Sequence, residues 1–320
     1  MSRRVLEVQD EKHRIQIVFD RKQSAATCSL PAWQEETPVG LKKCFDQLDQ
    51  LVGLTQVKAF VKEIYAWLEI GKRRQAAGLS SEQQVLHMVF TGNPGTGKTT
   101  VARIMSGLFR EMGMLSKGHL VEVERADLVG EYIGHTAQKT REHVNKALGG
   151  ILFIDEAYSL ARGGEKDFGK EAIDTLVKAM EDHKNDFILI LAGYSWEMSN
   201  FLSSNPGLPS RFPVQLEFSD FPIQQLLEIA ECMTNERQYR LSVAAKEKLR
   251  SHVQREMERL DRPFGNARYI RNSIEQAVRQ HAVRLLQMPY ANRNDLMTLR
   301  SDDFQLDEVE KKTPIHSWYN

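Results

Sequence analysis

No run in this 320-residue chain is long and apolar enough to cross a bilayer; the longest, Phe187 to Tyr194, covers eight residues against the ~20 that a spanning helix needs. A membrane-spanning helix is thereby excluded. Charge of one sign is also missing, because 43 Lys and Arg balance 43 Asp and Glu and no global field draws the chain to nucleic acid or anionic lipid. Cysteine is scarce: Cys28, Cys44 and Cys232 are odd in number and lack metal-ligand spacing, which excludes a disulfide framework and suits reduced thiols in a cytosol. The opening residues reach Glu7 before any apolar run, so no secretory signal is expected. There is no His-Glu-x-x-His pair and hence no built-in zinc protease. No basic cluster interleaved with aromatics occurs either, which disfavours nucleic acid as a partner. His87, His119 and His135 have no Cys or carboxylate at ligand spacing and read as structural. What remains is an ordinary globular composition, 41% apolar and 27% charged, long enough for about two domains.

Residues 1–45 read as an extension and linker. His13 to Asp20 alternates like a half-buried strand, and Pro31, Pro38 and Gly40 follow among polar residues. Leu54, Val57, Val61, Ile64 and Leu68 then fall at steps of three and four, striping one face of a helix. Short apolar runs recur at Val85–Thr91, His119–Glu124, Gly150–Ile154 and Phe187–Ala192, each followed by sequence of helical period, with a last run at Val214–Phe218. That alternation predicts an α/β domain over 46–220, a mostly parallel sheet with helices on both faces. Beyond Phe221-Pro222 the pattern becomes helical at Ile223–Asn235, Val243–Leu260 and Ala267–Gln287, predicting a small all-helical domain over 221–290 and a polar tail over 291–320.

The chemistry sits where strands end. Gly92-Asn93-Pro94-Gly95-Thr96-Gly97-Lys98-Thr99 is a complete phosphate-binding loop between an apolar run and a helical one. Its glycines let backbone N–H groups curl around phosphate oxygens, and the helix N-terminus adds a favourable dipole. Lys98 is expected at the β- and γ-phosphates and Thr99 at Mg²⁺, with Asn93, Pro94, Gly95, Thr96, Gly97 and Thr100 completing the ATP contacts. Ile151 to Ile154 is an apolar run ending in Asp155 and Glu156, 57 residues beyond Lys98. Paired with the loop, Asp155 is expected to hold Mg²⁺ and Glu156 to polarise the attacking water.

These motifs, with Leu51-Val52-Gly53, Ser210-Arg211-Phe212 and Gly265-Asn266-Ala267-Arg268, resemble those of an AAA+ ATPase. Glu131 to Thr136, Ile154 to Tyr158 and Leu191 to Tyr194 are similar to the branch containing stage V sporulation protein K and the red-type Rubisco activases. The likeness spans Leu48 to Gln287, and Ser159 to Gly169 also fits the sporulation member. The resemblance implies a P-loop fold with a helical lid and assembly into a ring, expected to be a hexamer. It implies that Arg211 is an arginine finger for the neighbouring subunit, that Arg268, with Arg271 as rival, is the lid's phosphate sensor, and that Val52 and Gly53 lie against adenine. Where many relatives carry a polar Asn after the fourth strand this chain has Gly193-Tyr194-Ser195, leaving Tyr194 or Ser195 as the candidate. Tyr132, Ile133 and Gly134 match the pore loop, where a flat aromatic can grip polypeptide and glycine lets the loop flex. Arg162 to Gly169 matches a second pore loop. The function so implied is that of a cytoplasmic ATPase motor remodelling a protein client in sporulation; a Rubisco-remodelling motor and an ATP-dependent scaffold are the alternatives.

Overall fold

A computed structural model of the chain describes residues 38–80, 85–132, 134–162, 167–205, 207–259 and 263–305. The strand expected at His13–Asp20 lies outside them. The described residues divide into two compact units, one drawn from 38–48, 56–91 and 99–217, the other from 49–55, 92–98 and 218–305.

The first unit is a sheet covered by helices. In chain order it carries most of α1 (Val39–Gln50) and α2 (Thr55–Ala76), then β1 (Met88–Gly92), α3 (Lys98–Glu111), β2 (Leu120–Val123), α4 (Arg125–Leu128), α5 (His135–Ala147) and β3 (Ile151–Ile154). It continues with a 3₁₀ turn, Ala157–Ala161, then α6 (Gly169–Asp182), β4 (Ile188–Gly193), α7 (Ser195–Ser204) and β5 (Val214–Phe218). The strand order is β2-β3-β4-β1-β5, with β2/β3, β3/β4 and β4/β1 parallel. Parallel strands need crossovers, and the helices that make them cover the sheet, so β3 and β4 are buried along their whole length. Each expected run became a strand, shifted or shortened by a residue or a few, with His87 and His119 lying just before β1 and β2. The register Ile151↔Ile188 and Met88↔Ile190 makes β1, β3 and β4 end along one edge of the sheet. The acids after β3 start from that edge.

The second unit is helical apart from one short ladder. Its elements are α8 (Ile223–Glu236), β6 (Arg240–Leu241), α9 (Val243–Met257), α10 (Asn266–Leu286), α11 (Arg293–Met297) and β7 (Thr298–Leu299), with β6 and β7 parallel. Ser242 caps α9 by accepting from the Ala245 N–H at 3.2 Å. Leu226, Leu249, Ile270 and Ile274 form its core. The polar stretch read from sequence as a tail enters that core through Leu299 and Phe304, both 0% exposed. Two apolar residues five apart leave no periodic signal, which is why the pattern stops short of them. Among the described residues no helix is long and apolar enough to cross a membrane.

Candidate functional site

The phosphate-loop candidate belongs to the second unit, together with the segment before α2 and the start of α10. Gly92, Gly95 and Gly97 have φ of +143°, +72° and +98°, a turn sequence that side chains resist and that directs successive N–H groups to one side. At Gly95 a Cβ would stand 2.3 Å from the Gly265 carbonyl oxygen, so only glycine admits the start of α10 there. Thr96 is fully buried and its Oγ1 donates to the Asn93 carbonyl at 2.8 Å. Lys98 Nζ donates to the Gly92 and Asn93 carbonyls at 2.8 Å each, folding back over its own loop. Thr99 and the exposed Thr100 follow in the first turn of α3, whose leading N–H groups have no intrahelical acceptor. Val52 packs on the lid core, while Gly53 (φ +66°) has Gln225 Oε1 2.3 Å from where its Cβ would be. Leu54 Cδ1 lies 3.5 Å from the Cβ position of Gly97, so the segment expected against adenine borders the loop. Arg268 is exposed in the first turn of α10, its N–H bonded to the Gly265 carbonyl at 2.9 Å; Arg271 is exposed one turn later.

The acids belong to the first unit. After four fully buried residues of β3, Asp155 and Glu156 emerge exposed, and Glu156 takes a left-handed conformation (φ +47°) that costs a non-glycine residue strain. Asp155 Oδ1 accepts from the Glu156 N–H at 3.0 Å. A cavity of about 560 Å³ opens beside them, lined also by Glu124, Arg125, Val129, Gly130 and Glu131. A larger cavity, about 610 Å³, lies between α5 and α6 and holds none of the motif residues. Tyr194 leads into α7 and stacks, tilted, 5.9 Å from Tyr158, whose ring fills the space a side chain at Gly193 would need. Burial, then the neighbouring Glu156, pushes the Tyr158 phenol above its ordinary pKa, so it stays protonated. Ser195 is exposed at the first position of α7.

Tyr132 stands 66% exposed, its ring edge-on to His135 at 5.4 Å. The base of its loop is fixed by α5: the Gly130 N–H donates to Thr136 Oγ1 at 2.9 Å, and Thr140 Oγ1 donates to the Leu128 carbonyl at 3.3 Å. Gly134 has φ +83° and open space around it. Ile133 lies outside the described residues, as do residues 163–166 of the second loop. Arg125 binds what brackets that second loop, donating to the Ser159 carbonyl at 2.7 Å and to Asp167 Oδ1 at 2.6 Å. Arg211, expected to face a neighbour, pairs within this chain with Glu181 of α6 and donates to the Gly207 carbonyl at 2.7 Å.

Sequence reasoning missed Thr140, Arg125 and Glu181, and gave no role to Thr136 and Asp167 within the motifs that contain them. Thr140, Arg125 and Glu181 are single polar residues on helices, indistinguishable in sequence from a solvated face. Within its own unit the loop fits a phosphate, with a cradle only glycine can make and an ammonium beside it; in the other unit Thr99 and Asp155 carry oxygen donors of the kind that suits a hard ion. Among the described residues no group of three or more His, Cys, Asp or Glu is disposed to hold a metal by itself.

Comparison with known proteins gives the same answer. Residues 88–220 match the ATPase family associated with various cellular activities (AAA), and residues 223–314 match the AAA lid domain. The chain is 57% identical over 270 residues to stage V sporulation protein K of Bacillus subtilis, covering 84% of each chain. It is 43% identical over 292 residues to protein CbbX of Cereibacter sphaeroides, covering 90% of this chain and 94% of that one. To the chloroplastic ribulose bisphosphate carboxylase/oxygenase activase of Cyanidioschyzon merolae it is 44% identical over 284 residues, covering 88% and 96%. Among solved structures, the Thermotoga maritima RuvB Holliday junction branch migration motor superposes with a TM-score of 0.53 at 22% identity, over 80% of this chain and 69% of that one, a likeness of fold alone. A five-stranded parallel-type sheet, a helical lid and a nucleotide-binding loop, joined to identity of this extent, leave one assignment: the chain belongs to the AAA family of ATPases, which bind and hydrolyse ATP.

Proposed function

We propose that this ATPase assembles into a hexameric ring in the cytoplasm and uses Mg²⁺-dependent ATP hydrolysis to thread or remodel a protein client through a central pore, in bacterial sporulation. The observation that carries the threading step is the exposed Tyr132 on a loop whose base is anchored by the buried Thr136. A flat, sequence-tolerant aromatic face, presented to solvent on a loop held at its base, is what a grip on extended polypeptide requires. The sporulation role is supported by the 57% identity to stage V sporulation protein K. A Rubisco-remodelling role is the second reading, favoured by the 96% coverage of the Cyanidioschyzon merolae activase.

In this reading Lys98 leaves the Gly92 and Asn93 carbonyls to reach the β- and γ-phosphates, with Asn93 to Thr100 supplying the rest of the cradle. Val52 and Gly53 border adenine. Thr99 and Asp155 hold Mg²⁺, which when bound neutralises the charge that develops on the phosphates. Glu156, exposed at the end of β3, orients and polarises the attacking water, and Tyr194 or Ser195 offers it a further hydroxyl. Arg268 contacts the phosphates from the lid. Arg211 exchanges Glu181 for the neighbour's nucleotide, a role worth roughly 10³ to 10⁵ in rate where such fingers are described.

Glu156→Gln is expected to bind ATP and hydrolyse it about a hundredfold or more slowly, so the ATP-loaded variant should retain its client in a pull-down. Turnover at the unaltered rate would remove Glu156 from the mechanism. Tyr132→Ala should keep basal ATPase and lose the client, whereas a scaffold that does not thread would keep its partner. Stimulation of turnover by Rubisco or a sugar bisphosphate would favour the second reading.

A further inference from the structure

Asn266 is 0% exposed and sits at φ +44°, a left-handed conformation that a buried non-glycine residue holds only when its surroundings over-determine it. Its amide is used at both ends. Oδ1 accepts from the Phe221 N–H at 2.9 Å, while Nδ2 faces Asp220 Oδ1 at 2.7 Å and the Pro94 carbonyl at 3.3 Å. Asp220 in turn accepts from Asn93 Nδ2 at 2.9 and 3.0 Å, and the Asn93 carbonyl accepts from Lys98 Nζ at 2.8 Å. Beside this chain of bonds the Ala267 N–H reaches the Gly95 carbonyl at 3.2 Å. All these residues lie within one compact unit.

We infer that Asn266 and Asp220 are positioning residues for the nucleotide loop: through Asn93 they fix the carbonyls that hold Lys98, so that the first turn of α10 sets the loop's shape and its affinity for ATP. The inference rests on reading Gly92 to Thr99 as the ATP site. Neither residue is offered as touching nucleotide. Asp220 is instructive because a carboxylate next to an anion cradle, acting by charge alone, weakens binding, so its removal should then tighten it. A positioning role predicts the opposite sign. Buried polar networks behave as units, and breaking one member leaves the others unsatisfied.

The test is a swap in the full chain. Asn266→Asp sets two carboxylates against each other and should weaken binding of a fluorescent ATP analogue about tenfold, the size of coupling seen between groups in one network. It should also speed amide exchange in residues 92–98 without nucleotide. The double variant Asn266→Asp with Asp220→Asn restores one donor and one acceptor at the same place and should recover both readouts, while a merely structural role would lower thermal stability in both variants with no selective recovery of affinity. A folded Asn266→Asp protein with unaltered affinity and exchange, or a swap that recovers neither, overturns the proposal. Should Asn266→Asp fail to fold, Asn266→Gly suits the positive φ and removes the amide, and is judged by the same two readouts. If the unaltered protein binds no nucleotide, the ATP assignment of the loop falls, and exchange in 92–98 still decides the hydrogen-bond chain.

Discussion

Arg284 in the helical unit and Arg211 in the sheet unit each meet a carboxylate, under opposite conditions. Arg284 makes two parallel hydrogen bonds to Asp303, at 2.8 and 3.0 Å, and Asp303 is 1% exposed. Burial would raise the Asp303 pKa, but the Arg284 fork and the Arg300 N–H outweigh it and hold the carboxyl below its ordinary value. Arg211 pairs with Glu181, whose side chain is 61% exposed. The first pair is built into the packing and the second can be given up at little cost. The same division runs through both units. The sheet unit is held by apolar contact around β3 and β4, and its one deeply buried imidazole, His87, has no hydrogen-bond partner for Nε2 among the described residues. The helical unit satisfies Asn266 and Asp303 with several bonds each.

Breaking the fork should have the largest effect. Asp303→Asn leaves Arg284 partly buried and uncompensated, and should cost about 3–5 kcal/mol, read by thermal or denaturant unfolding; replacing both partners by Leu and Met should recover much of it. A loss below about 1 kcal/mol would mean that the pair behaves like an exposed one.

Next comes pH. Burial lowers the His87 pKa from 6.5 to about 4, so between those values the unfolded chain binds a proton the folded chain refuses. His87 therefore costs no stability above about pH 6.5, and stability falls as pH drops from there towards 4, by about 3 kcal/mol in all. His87→Asn, whose Oδ1 can still accept the Leu189 N–H that Nδ1 accepts at 3.0 Å, should flatten that acid limb. An unchanged limb would place the sensitivity elsewhere.

The smallest effect sharpens the contrast. Glu181→Gln should change stability by under about 1 kcal/mol and leave Arg211 free, keeping ATPase activity or raising it. If instead Arg211→Ala subunits mixed with Lys98→Ala subunits regain no activity while demonstrably co-assembled, Arg211 does not act across an interface.

The sheet's strands and the nucleotide motifs were legible because they are local. An apolar run bounded by turns, or glycines at fixed offsets before Lys98, needs no partner to be recognised. Asp155 and Glu156 were legible because they end such a run. Strand order was not, since nothing in the sequence says that β4 lies between β1 and β3. The anchoring of the Tyr132 loop by Thr136, the clasp of Arg125 on Asp167, and the bonds of Asn266 to residues 45 and 172 positions away were equally hidden. A lone polar side chain carries no periodicity, and its partner is chosen only when distant segments meet.

By itself, then, the sequence determined where the glycine loop and the exposed acids lie, because both are tied to strand ends through backbone geometry that a few glycines and an apolar run encode. Only the tertiary structure decided how that chemistry is held: that the start of α10 closes on Gly95, that Lys98 rests on its own loop, and that Phe304 completes the lid. Those outcomes depend on packing and hydrogen bonds between segments far apart in the chain, whose free energy exists only once the core has brought them together.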